Sequence, residues 1–443
     1  MNTVALIGAG YAGLACAVEL ARQGIKTTVF ERSRTLGGRA RALRKDGWTV
    51  DNGQHVLIGA YTELTRLLRM TGVSPRQLQH LPLTLHVPGQ IHLRAAALPA
   101  PLHLAVGLAT ARGLNWRERF ALAALLRHLK RERFRLPATM TVTELLADCR
   151  QPAKLRNLVW EPLCVAALNT PAHMASAQIF ANILRDSLAA PTAAASELLI
   201  PRVDLSELFP VPAARYLAIH DGEICVGNAI TAIIPEPEGA GFRLTGDPAG
   251  RLWPHVVIAV APHHAAPLLA TAGEACAPLA ARIAALPAEP VTTVYFALGE
   301  GFTLPCPMIG LTGGPAQWAF DRGQCGGPEG LIAMVSSAHR SDDSDSGNDD
   351  GDATNHDTLI AATRTQLERA LGCRPPEAQW TQVVVEKRAT FACRPGLERP
   401  AIETPLPGLW LAGDYIESDY PATLEAAVRA GTRCARGIEA GFV

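Results

Sequence analysis

The chain has no excess of either charge. Its 443 residues carry 41 Lys and Arg against 41 Asp and Glu. Binding a phosphate backbone needs a net basic surface, so nucleic acid is not an expected partner. Aromatic residues are sparse, at 5 %, and the ten cysteines include no Cys-x-x-Cys pair. Without such a pair, or a histidine in ligand spacing, neither a metal site nor a disulfide framework is expected. The cysteines read as small core residues in a reducing, cytoplasmic setting. A spanning helix needs about 20 consecutive apolar residues. The uncharged run Ala95 to Ala111 is broken by Pro99 and Pro101. No signal peptide is expected, because a strand and a glycine turn occupy the first residues.

What the chain does have is apolar content, 48 %, which suits a greasy surface or a greasy cavity. It also opens on a strand–turn–helix–strand unit. Val4 to Ile7 reads as a strand that enters Gly8-Ala9-Gly10-Tyr11-Ala12-Gly13. A helix follows with Leu14, Ala17, Val18 and Ala21 on one face, ended by Gly24 at C′. Lys26 to Phe30 is the second strand, closed by Glu31. In such a unit the first glycine permits a tight turn, the second admits a pyrophosphate, and the third allows close helix–strand packing. The acid at the end of the second strand accepts hydrogen bonds from ribose hydroxyls. Gly8, Gly10, Tyr11, Ala12, Gly13, Glu31 and Arg32 are therefore candidate dinucleotide contacts. The alternative is a glycine-rich turn of an ordinary α/β protein.

Leu36-Gly37-Gly38-Arg39-Ala40-Arg41 follows directly. It offers a second close-approach loop with a fixed cation, Arg39 with or without Arg41. FAD reaches deeper than NAD and needs such a second set of contacts, so FAD is expected. At the other end, an apolar strand from Leu409 to Ala412 meets Gly413-Asp414, and a helix is expected to begin at Pro421. Asp414 suits a ribityl or phosphate contact. The helix N-terminus, with Pro421, Ala422 and Thr423, suits charge on a reduced flavin. The alternatives are a solvated basic turn and a capped strand–helix connection.

Between these ends the pattern is helical from Arg94 to Leu136 and from Thr141 to Leu188. Leu198 to Ile230 alternates turns and short strands. Val291 to Leu298 has the period of a half-buried strand. Ser341 to Asp357 holds seven aspartates and no Lys or Arg, so it should be disordered, with a helix resuming near Thr358. The expected division gives residues 1–75, 198–288 and 392–443 to a FAD-binding domain. Residues 76–197 form a helical part facing substrate or membrane, and 289–391 a substrate-domain sheet. Apolar residues bounded by arginines between Ala95 and Arg135 suit a helix lying in a lipid headgroup region; ordinary packing within the substrate domain is the alternative.

These motifs together resemble the flavin amine oxidase and phytoene desaturase superfamily. Five stretches are more specific: Asp51-Asn52-Gly53-Gln54-His55, Ala167 to Pro171, Asp204 to Pro210, Gln317 to Gly323 and Glu386 to Phe391. They resemble the squalene-associated FAD-dependent proteins, the hydroxysqualene dehydroxylases of bacterial hopanoid synthesis. The resemblance implies an α/β fold of the p-hydroxybenzoate hydroxylase type. Its parts are a Rossmann FAD domain built from discontinuous pieces and an α+β substrate domain. It also implies Gly53 and Gln54 beside the flavin, and reductive removal of the hydroxyl of hydroxysqualene, an apolar C30 chain supplied by an upstream hydroxysqualene synthase. Flavin amine oxidases usually place a lysine near the flavin, where this chain has Thr292 and Thr293. No cysteine lies between Gly413 and Cys434 to tether the flavin, so the FAD should be non-covalent.

Departure of the hydroxyl needs a proton. His55 is the first candidate donor, with Asp321 and Arg322 as further catalytic candidates. Lys387 and Arg388 either touch flavin or solvate a strand end. Each has a structural alternative: a hydrogen-bonded histidine, an ion pair, a solvated turn. Two other functions fit the same features. One is an oxidative isoprenoid desaturase, which runs the flavin in the opposite direction. The other is a lipid-escort protein without redox activity.

Overall fold

The computed structural model describes residues 3–338 and 352–442. One sheet is parallel throughout. Its strands lie in the order Glu223–Val226, Lys26–Glu31, Thr3–Ile7, His255–Ile258 and Leu409–Leu411. These strands come from three distant stretches of chain. Val4, Leu6, Val256, Val257, Ile258 and Leu411 are fully buried, as expected of parallel strands covered on both faces.

The Tyr11–Arg22 helix covers one face of this sheet and is buried along nearly its whole length. Small residues allow that. A Cβ on Gly431 of the Leu424–Phe442 helix would run into the carbonyl of Ala12, so the two helices meet backbone to backbone. Gly24 ends the first helix at φ +74°, the left-handed conformation expected at C′.

The second sheet is antiparallel, in the order Met308–Gly310, Trp318–Asp321, Leu331–Ser337, Ala288–Ala297, Trp380–Phe391. The Ala288–Ala297 strand was expected to be half-buried, but it lies between two neighbours and is covered on both sides. Val294 and Phe296 pack in one cluster with Leu367 of the Asp352–Leu371 helix. Tyr295 and Ala297 pack in another with Val50, Val56 and Trp318. Alternation of Thr and Tyr with Val and Phe therefore marks two apolar environments rather than one face in water. The tyrosine hydroxyl is accommodated by donating to the Asp51 carbonyl at 2.9 Å.

Three other expectations need correction. Between Leu198 and Ile230 the chain forms helices at Leu205–Leu208 and Pro210–Ile219 as well as strands. Asp204 accepts from the N–H groups of Ser206 and Glu207, a capping signal that the turn reading passed over. The helix expected near Thr358 begins at Asp352, so the end of the acidic segment is helical; the rest of that segment lies outside the described residues. Finally, the last helix starts at Leu424 rather than Pro421. Thr423 Oγ1 accepts from Ala426 N at 3.1 Å, so a side-chain cap sets the start where proline preference suggested an earlier one.

Helices fill the middle of the chain. Leu102–Thr110, Trp116–Arg131, Val142–Asp148, Glu161–Leu168 and Ala177–Ser187 form a lobe around Leu125, Leu129, Leu145, Leu155, Trp160 and Phe180. Among the described residues, no helix is long and apolar enough to cross a membrane.

Candidate active site

Two glycine loops and the carboxyl end of the parallel sheet meet at one place. A Cβ at Gly8 (φ +109°) would lie 2.7 Å from the Ala259 carbonyl oxygen, and one at Gly13 would enter the Gly8 carbonyl. Packing forces both glycines. A Cβ at Gly10 would touch nothing within 4 Å, so that side of the loop is open to an incoming group. Gly37 N donates to Ala9 O at 2.8 Å, and Gly10 bridges to Gly37. The second loop is thereby stitched to the first.

Glu31 is oriented by two backbone donors. Its Oε2 accepts from Ala9 N at 2.7 Å and its Oε1 from Ser33 N at 2.8 Å. A carboxylate has about four acceptor sites, so capacity remains for ribose hydroxyls. Tyr11 Oη donates to Leu205 O at 3.0 Å, tying the loop to the Leu205–Leu208 turn rather than pointing at the open side. Ala12 is buried and Arg32 is exposed.

Arg39 joins the two ends of the chain. Its Nη2 donates to Asp414 Oδ1 at 2.7 Å and its Nη1 to Ala389 O at 2.6 Å. Burial opposes its charge, but Asp414, with Glu386 and Tyr415, holds the guanidinium above its ordinary range. Asn52 Nδ2 donates to Arg39 O and to Glu386 Oε2, both at 3.2 Å. Asp51 to His55 thus lies against the same cation. Gly413 needs to be glycine because a Cβ would meet the Tyr415 ring at 2.5 Å. Pro421 is buried, with Ala422 and Thr423 partly so.

His55 Nδ1 lies 3.1 Å from the Gly53 carbonyl oxygen. A carbonyl only accepts, so Nδ1 carries the proton and the neutral ring presents Nε2 as an acceptor. Burial, with Arg39 nearby, pushes its pKa down, and the bond to Gly53 only partly opposes this. At neutral pH His55 is a base that must be protonated before it can donate.

The other catalytic candidates are engaged in contacts of their own. Asp321 Oδ2 accepts from Thr303 Oγ1, Leu304 N and Gln324 Nε2 at 2.8–2.9 Å, and its Oδ1 from Gln324 N at 3.2 Å. That carboxylate organises a turn. Arg322 is buried with its Nη2 3.9 Å from Asp51 Oδ2. Asp51 Oδ1 accepts from Leu205 N at 2.8 Å. Desolvation outweighs that bond and Arg322, and raises the Asp51 carboxyl to about 6. Lys387 and Arg388 are exposed.

One group escaped the sequence reading. Pro262 opens a helix directly after the His255–Ile258 strand, and His263 and His264 stand in its first turn. His263 is pushed down to about 4 by burial and by His264, Arg388 and Arg39. His264 is lowered by burial, Arg32 and Arg388. Arg39, His263, Arg388 and Thr390 line a cavity of about 250 Å³. The available signal was a second apolar strand running into a proline-headed helix, the same strand-to-helix-N-terminus device as at Gly8.

A flavin dinucleotide fits these residues. A pyrophosphate would find an open glycine flank and a helix N-terminus there, with Arg39 near by. The buried Gln54 Oε1 and Tyr415 Oη have no hydrogen-bond partner, and a bound polar ring system would supply one.

Comparison with known proteins gives independent support. The profile of the family described as flavin containing amine oxidoreductase matches residues 11–438. A hydroxysqualene dehydroxylase of Rhodopseudomonas palustris is 29 % identical, over 98 % of this chain and 97 % of that protein. A 4,4'-diapophytoene desaturase of Staphylococcus aureus is 46 % identical, but over only 12 % of this chain and 11 % of that protein. The crystal structure of an oxidoreductase from Methanosarcina mazei has the same fold, with a TM-score of 0.74 at 18 % identity, covering 98 % of this chain and 100 % of that one.

Proposed function

The chain belongs to the flavin containing amine oxidoreductase family, and from that premise we propose that it holds FAD non-covalently and reductively dehydroxylates hydroxysqualene to squalene. The observation that carries the reading is end-to-end similarity to a hydroxysqualene dehydroxylase, spanning both the cofactor site and the substrate sheet. Similarity to the desaturase covers a short stretch only.

The site's chemistry agrees. The Ala288–Ala297 strand presents Thr292 and Thr293 and carries no lysine, which argues against amine oxidation. Glu31, Gly10, Arg39 and Asp414 would hold the dinucleotide, with Gln54 and Tyr415 meeting its ring system. Cys393, just beyond the strand bearing Arg388, is buried and its thiol is pushed up to about 12. A protonated thiol is a poor nucleophile for tethering a flavin.

When bound and reduced, FAD would supply the hydride for the carbon that loses hydroxyl. The balance is alcohol plus hydride plus proton giving hydrocarbon plus water. His55 would carry the proton on Nε2 after taking it from solvent, and Gly53 holds the ring so that Nε2 is the atom offered. Excluding water keeps a cationic carbon from being recaptured as alcohol. The substrate is a C30 isoprenoid that resides in lipid, so we take the protein to draw it from a bilayer by peripheral contact, beside the synthase that makes it.

The test is anaerobic. Photoreduced enzyme is mixed with hydroxysqualene, while flavin reoxidation and squalene are followed together. Flavin that stays reduced with no squalene formed, alongside oxidised enzyme that desaturates a carotenoid precursor, would establish the desaturase instead.

A further inference from the structure

The Leu102–Thr110 helix is inverted for a surface helix. Its buried positions are His103 and Gly107, while Leu102, Ala105, Val106 and Ala109 face outward. A surface helix normally turns its polar side out. Leu102 is 55 % exposed and Val106 39 %, and Leu98 just before the helix is 40 % exposed. The next helix continues the patch, with Trp116 and Phe120 one turn apart and 67 % and 69 % exposed. The two helices are pinned together. Arg119 donates to the carbonyls of Ala109 and Ala111, and its guanidinium lies 4.7 Å from the centre of the Trp116 ring.

The inverted helix is also clamped beneath. His103 Nε2 and Ser196 Oγ are 3.1 Å apart, and a Cβ on Gly107 would meet the Arg94 carbonyl at 2.5 Å. This apolar face is thus presented by a fixed scaffold. Contiguous exposed apolar surface rimmed by polar groups marks an interaction site.

Charge identifies the occupant. From Arg94 to Arg131 there are seven Lys and Arg and one acid, Glu118. That acid is buried and faces Lys154. Arg94, Arg112, Arg117, Arg127 and Lys130 are exposed, as is Arg131, which pairs with Glu132 at 3.0 Å. A second copy of the chain docking through the same face would set cations against cations. An anionic lipid surface meets both features. Its phosphates pair with the rim, and its acyl boundary takes Leu102, Val106 and Phe120, with the Trp116 indole at headgroup level.

We propose that this face, built from the Leu102–Thr110 and Trp116–Arg131 helices, docks the protein onto an anionic bilayer in a monotopic manner. The purpose of the contact rests on the isoprenoid reading above; the contact itself does not.

The experiment is sedimentation of the flavin-loaded protein with phosphatidylcholine vesicles, with and without phosphatidylglycerol. Wild type should bind the anionic vesicles at low salt and release them as salt rises. Pairing Leu102→Ser with Val106→Ser, or Trp116→Ala with Phe120→Ser, should weaken binding about 10- to 100-fold. Pairing Arg117→Gln with Arg127→Gln should remove the preference for phosphatidylglycerol. Flavin content, and turnover of detergent-dispersed substrate, should not change. As a second readout, brominated lipid should quench fluorescence in wild type and quench it less in Trp116→Phe. Absence of vesicle binding, or serine variants that bind as wild type does, overturns the proposal. So does an apolar-face variant that dissolves a dimer without affecting vesicles. Vesicle binding without hydroxysqualene turnover sinks the reaction and leaves the docking face standing. Turnover without vesicle binding does the reverse.

Discussion

Asp51 should make the protein less stable as pH rises, and the size of the effect follows from its surroundings. The carboxyl is 3 % exposed. It has one backbone donor, Leu205 N at 2.8 Å, and its cationic neighbour Arg322 stands at 3.9 Å, too far for a hydrogen bond. Desolvation therefore wins, and the folded-state pKa rises to about 6, against about 3.9 in the unfolded chain. A raised folded pKa favours the protonated form, so the stabilisation is complete below about pH 3.9 and is lost as pH climbs through about 6. A shift of about two units corresponds to about 3 kcal/mol, of which about 2 kcal/mol falls between pH 4.5 and 7.5.

Asp51→Asn isolates that contribution. Its amide oxygen can still accept from Leu205 N, and the backbone carbonyl still accepts from Tyr295 Oη. Urea unfolding of the flavin-loaded proteins, followed by flavin fluorescence, gives the wild-type-minus-variant difference at each pH. That difference should fall by about 2 kcal/mol between pH 4.5 and 7.5. A flat difference would show that Arg322 compensates the carboxylate fully, and a rising one that the pair is net favourable; either refutes the desolvation argument.

Other changes have equally specific outcomes. Glu31→Ala removes charge-assisted hydrogen bonds worth roughly 1.5–3 kcal/mol each and should lower FAD affinity in equilibrium dialysis; unchanged affinity would mean that Glu31 only holds Ala9 and Ser33. Acid precipitation should release all flavin to the supernatant, and flavin left on the polypeptide would disprove non-covalent binding. His55→Ala should slow squalene formation about 10²–10⁴-fold with FAD retained. Because the pKa of His55 is depressed, wild-type turnover should rise as pH falls below neutrality, whereas a pH profile that His55→Ala leaves unaltered would assign the proton to another group. Gly431→Ala drives a methyl into the Ala12 carbonyl and should cost about 1–3 kcal/mol, read as a lowered Tm.

The strand–turn–helix–strand unit at the start of this protein was legible in its sequence because the signals there are local. Gly8, Gly10 and Gly13 between two apolar strands, with Glu31 closing the second, specify a turn, a helix and an acceptor within about thirty residues, where backbone sterics leave few alternatives. Gly37-Gly38-Arg39 and Gly413-Asp414 were legible for the same reason. Long-range closeness was not. Only the folded chain decides that Arg39 donates to Asp414, that Tyr295 reaches the Asp51 carbonyl, and that Asp321 is consumed by Thr303, Leu304 and Gln324, since each contact joins segments whose spacing in sequence carries no periodicity. The electropositive first turn at His263 and His264 went unread because two adjacent histidines acquire meaning from Arg32, Arg39 and Arg388, which the sheet brings to them. Burial reversed one reading and chose between the alternatives of another. Threonine and tyrosine in the Ala288–Ala297 strand resembled a wet face and lie in a dry one, while Leu102, Val106, Trp116 and Phe120, open in the sequence to either a surface helix or ordinary packing, lie on the surface. Composition sets which side chains prefer to leave water. Which of them do so is settled by the partners the tertiary structure puts in front of them.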